Sequence, residues 1–382
     1  MNSSELIDGY DLKKLTVGAL GGHSALDICN GAKKMGFQTL VVAEEGREKT
    51  YTKYYRARKL SKEGTVGCVD DVIEVKKFRD ILDRNVQDAL RSKNTLFIHS
   101  RYFWVYFDDF ARVENDFAVP IFGSRSLLKL EERDQPYNQY HLLKDAGIRA
   151  PKLFEKPEDI EIGRMVIVKA HEAKRGYERA FFLTMASNFE ARANEQIKRG
   201  EITKEGLKEA TIEEFVVGAP VNFNFFYSPL SDELELLGTD TRRQTNLDGF
   251  LRMTAEDQTW AKQFTPVKMI ETGHIACTVK ESILEKAFDL GERFVRATQA
   301  KKCDPTGRGI IGPFALQGAV VADEGREDIV IFDVSMRIPG SPGIRSTPYS
   351  GYLYGEPISI GERIGMEIRK AVREKALEKI IT

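Results

Sequence analysis

The chain has 382 residues, 42% of them hydrophobic, with 57 Lys and Arg against 58 Asp and Glu for a formal net charge of −1. This is a folded composition with length for two or three domains, which excludes collagenous, low-complexity and wholly disordered classes. The charge balance gives no whole-molecule attraction to nucleic acid or to an anionic membrane, and no run approaches the roughly 18 apolar residues of a membrane span.

Residues 1–8 carry no basic segment leading into an apolar stretch, so a cytoplasmic location is expected. Cys29, Cys68, Cys277 and Cys303 are far apart and form no zinc-type pair, so reduced thiols in or near the core are expected. In chain order, LTVGAL at 15–20 predicts a strand, and Gly21-Gly22-His23 a turn. Ser24 can cap a helix carrying Ala25, Ile28, Ala32 and Met35, which Gly36 ends before a second strand at 39–43. Another strand follows at 96–99, with an aromatic stretch at 102–107. Strand, glycine turn, helix, strand opens a parallel α/β domain, whose sites lie beyond the carboxyl ends of its strands, here Gly21–Ser24 and His99–Tyr102.

The charged segment 124–146, broken at Pro136, leads through 147–151 into a second domain. Short strands are expected there at 165–169, 179–184, 211–217, 221–227 and 234–238, with a helix at 188–198: an α+β pattern. RRQTN at 242–246 reads as a polar loop after LELLG, and ETGHIA at 271–276 as a turn. A helix over 281–300, strands at 310–322 and 329–335, a Gly/Pro/Ser-rich loop at 338–354 and a helix over 358–380 complete the chain.

Several side chains in this pattern can carry chemistry. Lys169 ends the strand MVIVK and leads into the basic loop HEAKRG, which can cover nucleotide phosphates or be a solvated strand end. In TIEEFVV, Glu213 or Glu214 can accept from a ribose or an amino group; being adjacent they face opposite sides, so one must avoid the core or be paired in it. Gln317 and Asp333 each lie in a strand among apolar residues. An amide oxygen and a carboxylate on neighbouring strands can hold Mg²⁺, which takes its other ligands from water and phosphate. Arg337 shares the face of Asp333 if the strand continues, and can neutralise phosphate or form a purely structural pair with Asp333. His23, at a helix start, is the best placed of the five histidines to meet a phosphate; His141, His171 and His274 lie in a helix, the basic loop and the turn-like ETGHIA. GxSxG, GxGxxG and Walker motifs are missing from the sequence.

The order of elements, with segments such as GHSALDICNGAKKMGFQTL, KDAGIRAPKLFEKPEDI, IEEFVVG, LDGFLRMTAEDQ and IGPFALQG, resembles the ATP-grasp superfamily and within it the archaeal formate-dependent FAICAR synthetase family, where FAICAR is 5-formaminoimidazole-4-carboxamide ribonucleotide. The resemblance runs over nearly the whole chain. It implies α/β and α+β architecture: a Rossmann-like N-terminal (preATP-grasp) domain over 1–123, a helical connection over 124–150 and an ATP-grasp domain over 151–382, divided into a lid at about 151–218 and a central and C-terminal part at about 219–382. It implies a ligase that joins formate to the amine of AICAR with ATP and Mg²⁺ through formyl phosphate, with trimers or hexamers as the family's assemblies and with neither nucleic acid nor membrane as a partner.

On the matching positions, His23, Ser100 and His274 would touch AICAR. Lys169, Lys174, Glu213, Glu214, Val216 and Gln244 would bind ATP, Gln317 and Asp333 would hold the metal, and Lys169 and Arg337 would act in catalysis. The chain departs from the family at several of these. The phosphate loop is the glycine-poor HEAKRGYERA, with side-chain charge from Lys174 and Arg175. Gln244 stands for a glutamate, Asp333 for a longer glutamate, His274 for an asparagine in a TGNIP-like turn, and SPGI for a glycine-rich stretch after the metal strand. A gapless alignment places Phe103 rather than Ser100 at the substrate serine. These changes leave open a diverged ligase for another small carboxylate and amine, or a catalytically silent nucleotide-binding paralogue.

Overall fold

The structure is a computed structural model that describes every residue except 1–2, 61–63, 106, 108, 134, 171–180, 266 and 324. The sequence-read phosphate-loop residues Lys174 and Arg175, and His171, therefore lie outside the described residues.

The first third is built on a parallel sheet. Its strands are β1 (Thr16–Leu20), β2 (Gln38–Glu44), β3 (Asp71–Val75), β4 (Thr95–Ile98) and β5 (Ile121–Phe122), with helices α1 (Ala25–Lys34) and α2 (Arg84–Ser92) between them. The order is β3-β2-β1-β4-β5, all parallel. β1 is buried at all five positions, as expected of a parallel strand covered on both faces. Strand order reverses at β1, so the crevice opens where β1 and β4 end, at the two segments expected from the sequence. Ser24 precedes α1 but makes no side-chain cap; its hydroxyl donates instead to the Pro339 carbonyl at 3.1 Å, tying the turn to the far end of the chain.

A connection containing α3 (Gln139–Asp145) leads to a small antiparallel sheet. Its strands are β6 (Leu153–Phe154), β7 (Val166–Lys169), β8 (Phe181–Thr184) and β9 (Thr211–Glu214), in the order β8-β7-β9-β6, with α4 (Phe189–Lys198) against it. Val166, Val168, Phe182 and Ile212 form its core. The strand expected to reach Val217 stops at Glu214, and Val217 is exposed.

The rest of the chain forms a large antiparallel sheet of β10 (Ala219–Ser228), β11 (Glu233–Asn246), β12 (Met269–Cys277), β13 (Gly312–Asp323) and β14 (Arg326–Ser335), ordered β12-β11-β10-β13-β14. It carries helices α5 (Glu281–Thr298) and α6 (Ile360–Glu374). Two sequence expectations are corrected here. RRQTN is not a loop but the far half of the 14-residue β11, polar because it leaves the core while still paired to β12. ETGHIA is not a turn; it lies in β12, where Gly273, at φ +151°, falls beside the register shift at Arg243/Gln244. A glycine inside a strand marked a bulge rather than a reversal. The last helix also ends early, at Glu374, with Lys375 in the left-handed region.

α6 returns to pack on α1 at backbone distance. A Cβ on Gly361 would lie 2.1 Å from the Asp27 carbonyl oxygen, and one on Gly31 2.1 Å from the Gly361 carbonyl carbon. Neither neighbour is a flexible side chain, so neither can yield cheaply. The Gly361 amide also donates to Asp27 Oδ2 at 2.9 Å. We expect Gly361→Ala to lower unfolding stability by about 1–3 kcal/mol in a denaturant titration; an unchanged midpoint would contradict this contact.

Candidate active site

The large sheet has one polar and one apolar face over its centre, set by period-two alternation. Phe223, Phe225, Phe314, Leu316 and Val334 pack with Ile283, Ala287, Leu290 and Phe294 of α5. The intervening residues form a transverse row: Asp333 is directly opposite Gln317, Gln317 opposite Asn222, and Asn222 opposite Asp240, across β14, β13, β10 and β11. The amide and carboxylate proposed from the sequence as a metal pair are therefore side by side. Arg242 joins them: its guanidinium donates to Gln317 Oε1, and its Nη2 is 3.9 Å from Asp333 Oδ2. Gln317 Nε2 donates to the Ser335 hydroxyl at 2.8 Å, which leaves Oε1 as the outward-facing oxygen.

A chain of polar contacts runs from this row to the small sheet. Arg133 Nη2 reaches Asp333 Oδ1 at 3.5 Å, while its Nε donates to the Tyr140 hydroxyl at 2.9 Å. That hydroxyl donates to Glu213 Oε2 at 2.7 Å, and Glu213 pairs with the buried Lys169 ammonium. Burial pushes the Lys169 pKa down and Glu213 opposes it, whereas the burial of Arg133 is outweighed by Asp333 and Tyr140, which hold it charged. The expectation that one of two adjacent glutamates must be paired in the core holds for Glu213; Glu214 faces the other way and meets Arg164 at 2.5 Å.

At the other end of the row, Asp240 is buried and receives Asn222 at 2.8 Å, Asn224 at 2.6 Å and His274 Nδ1 at 2.5 Å. His274 Nε2 lies 3.1 Å from Glu271 Oε1, to which His23 Nε2 also comes within 3.3 Å, and Arg242 Nε is 3.2 Å from Glu271 Oε2. Burial works against the charged form of His274, but the two carboxylates bonded to it prevail and hold its pKa up at about 9. Burial would raise Glu271, yet the bonds from His23 and His274 and the charge of Arg242 hold it far below the ordinary carboxylate range.

One cavity collects much of this. Its walls include His23, Ser24, Ser100 and Arg101 from the first sheet, and Asn222, Asn224, Arg242, Glu271, His274, Gln317 and Arg337 from the large sheet and the segment after it. Of the sequence-read residues, His23, Ser100, His274, Gln317 and Arg337 thus meet in one space, and Asp333 is tied to it through Arg242. Ser100, not Phe103, is the cavity residue, since Phe103 is fully buried among Phe97, Phe107 and Phe117. Lys169 and Glu213 do not line the cavity and join it only through Tyr140 and Arg133. Glu214, Val216 and Gln244 are not brought to it; the Gln244 backbone N–H donates to Asp248 Oδ2 at 2.7 Å and its side-chain amide to the Met269 carbonyl at 3.5 Å. Arg337 does not pair with Asp333, because β14 ends at Ser335; its Nη2 lies 3.4 Å from Glu131. Burial lowers the Arg337 pKa and raises that of Glu131, each partner opposing the shift of the other. Sequence reading missed Arg133, Tyr140, Asp240, Arg242 and Glu271. Only Arg242, in a dense polar run, carried a local signal.

Comparison with known proteins identifies the family of the chain. Two family models match, a protein of unknown function (DUF1246) over residues 17–154 and a domain of unknown function (DUF1297) over residues 188–382. A relative from Methanopyrus kandleri named 5-formaminoimidazole-4-carboxamide-1-(beta)-D-ribofuranosyl 5'-monophosphate synthetase is 38% identical over 380 residues, which cover 99% of this chain and 98% of the relative. The chain belongs to this synthetase family. A relative of the same name from Methanocaldococcus jannaschii is 37% identical over 382 residues, covering 99% of this chain and 98% of that one. Among solved structures, an IMP biosynthesis protein PurP from Thermococcus kodakaraensis superposes with a TM-score of 0.67 at 26% identity, over 96% of this chain and 100% of that one. The ADP complex of an N5-carboxyaminoimidazole ribonucleotide synthetase, 12% identical with a TM-score of 0.57 over 91% of this chain and 78% of its own, shares the fold alone. The synthetase family fold of this chain is ATP-grasp, as the sequence resemblance implied. Among the described residues no helix is long and apolar enough to cross a membrane.

His99, next to Ser100, is buried, and neither ring nitrogen meets a partner among the described residues. Burial, aided by the charges of Arg337 and Arg125, lowers its pKa from 6.5 to about 3. Between those values the unfolded chain binds a proton that the folded one refuses, so stability falls as pH falls, by up to about 1.4 kcal/mol per pH unit. His99→Gln should flatten the acid limb of stability against pH by about one proton; an equally steep limb in the variant would contradict the neutral buried imidazole.

Proposed function

We propose that the chain is an ATP-dependent ligase that joins formate to the amine of AICAR, giving FAICAR, ADP and phosphate, with Mg²⁺ as its cofactor. The observation that carries this reading is the common cavity: the groups that the resemblance assigns to AICAR (His23, Ser100, His274) and to metal and phosphate (Gln317, Arg337 and, through Arg242, Asp333) open onto one space. Near-full-length identity with the synthetases and the intact oxygen pair favour turnover over a silent paralogue.

The donor set fits a hard cation, since an amide oxygen and a carboxylate oxygen stand together and leave the remaining positions to water and phosphate. Mg²⁺ bound to Gln317 and Asp333 would neutralise the nucleotide's phosphate charge. In the ligand-free arrangement Arg242 donates to Gln317 Oε1 and stands 3.9 Å from Asp333 Oδ2, and Glu271 offers its guanidinium a second hold when those oxygens are claimed. A formate oxygen attacks the γ-phosphorus of ATP, breaking its bond to ADP and giving formyl phosphate. The AICAR amine then attacks the formyl carbon, loses a proton and expels phosphate. Such transfers rest on positioning and charge neutralisation, which Arg337, Arg242 and the Lys169 ammonium supply from this chain. Formate is too small to bind tightly by itself, so the two nucleotides organise the site around it.

The test is purified protein with ATP, Mg²⁺, formate and AICAR, assayed separately for ADP and FAICAR. ADP release that needs formate and AICAR together is expected, and nucleotide binding without turnover would overturn the reading. Asp333→Asn should lower kcat by about two orders of magnitude or more with the fold retained; an unchanged rate would remove Asp333 from the centre.

A further inference from the structure

The corner of the cavity away from Gln317 and Asp333 holds a second constellation, in which His23 and His274, the two histidines that the resemblance assigns to AICAR, meet Glu271. His23, Glu271 and His274 each offer one ligand atom, and those three atoms lie within 4.8 Å of one another. Glu271 Oε1 is 3.3 Å from His23 Nε2 and 3.1 Å from His274 Nε2, and the two imidazoles stand edge to face with centroids 5.9 Å apart. We propose that these three side chains bind a transition-metal dication of the Zn²⁺ class, at a site separate from the oxygen pair Gln317 and Asp333.

Three features support a built site over a chance cluster. The far sides of two of the ligands are fixed by bonded partners, and the third is confined by packing. His274 Nδ1 meets Asp240 at 2.5 Å, and Asp240 is in turn held by Asn222 and Asn224. This carboxylate–imidazole pairing is the support that metal-ligating histidines generally have, because it sets the tautomer and leaves Nε2 for the ion. Arg242 takes Glu271 Oε2 and leaves Oε1 for coordination. His23 is pressed against Gly340, where a Cβ would lie 2.2 Å from Nδ1, so that position admits no side chain while the ring stays there.

The ligands also come from separated parts of the chain, the turn after β1 and strand β12, so a bound ion would cross-link the first sheet to the large one. Their chemistry is selective: two imidazoles with one carboxylate is a known three-ligand zinc set with an open fourth position, whereas Mg²⁺ prefers oxygen alone. Here the open position faces the cavity, where an oxygen or nitrogen of a bound small molecule can complete the shell.

The inference does not depend on the ligase reading, and its test does not use activity. The untagged full chain, stripped with EDTA, is titrated with Co²⁺ and followed by visible absorption. One equivalent with the intense bands of four- or five-coordinate Co²⁺, displaced by Zn²⁺ but not by excess Mg²⁺, is expected. His274→Asn and Glu271→Gln should each weaken binding at least about tenfold, and Asp240→Asn by about 10- to 100-fold, while Asp333→Asn leaves it unchanged. X-ray absorption of the Zn²⁺-loaded wild type, which needs no variant to fold, should report two imidazoles in the shell. Weak octahedral Co²⁺ spectra, equal affinity in His274→Asn, or a Zn²⁺ shell of sulfur or of oxygen alone would overturn the site.

Discussion

A row of four polar side chains, Asp333, Gln317, Asn222 and Asp240, crosses the middle of a sheet whose other face is hydrophobic core. Its two carboxylates cannot be left alone there. Removing the partner of a buried ion pair typically costs about 3–5 kcal/mol, because an uncompensated charge remains. The surrounding structure answers this demand. Arg133 and Arg242 attend Asp333, while Asn222, Asn224 and His274 attend Asp240. The arginines supply the opposing charge in this arrangement, and under the proposed function a cation and phosphate would take their places beside Asp333.

The second constraint is the distance between the first sheet and the large one. His23 and Ser100 come from the ends of β1 and β4, and the row comes from β10, β11, β13 and β14, so the cavity exists only if the two bodies stay in register. The glycine contact between α1 and α6 and the Ser24 hydroxyl on Pro339 both fix that register with backbone atoms. Among the described residues, a line of polar contacts through Lys169, Glu213, Tyr140 and Arg133 joins the small sheet to the row. That line ends at Asp333 through the half-buried Arg133.

Much of this could be read from the sequence, for physical reasons. Buried parallel strands are continuous apolar runs, so β1, β2 and β4 stood out. Gln317 and Asp333 stood out because a polar residue with apolar neighbours on both sides in a strand needs a purpose. Arg242, Glu271 and His274 were misplaced because β11 and β12 run on beyond the core. There their composition turns polar, and local pattern cannot distinguish a paired ribbon from a loop. Gly273 added to the error by looking like a reversal. Tyr140 and Arg133 were invisible for another reason: their roles depend on a meeting with Asp333 and Glu213 that no spacing encodes. The alternative that paired Arg337 with Asp333 fails because it required β14 to continue past Ser335, and Arg337 meets Glu131 instead.

In the proposed ligase, Gln317 and Asp333 form the cation end of the nucleotide site and Arg242 yields to the cation. This assignment is tested most directly by crystals of the protein grown with ADP and Mn²⁺, read by anomalous scattering. The account predicts a manganese peak coordinated by Gln317 Oε1 and the Asp333 carboxylate, touching the diphosphate, with the Arg242 guanidinium turned toward Glu271. A nucleotide-bound manganese with no contact to Asp333, or Arg242 still seated on Gln317 beside it, would contradict the account.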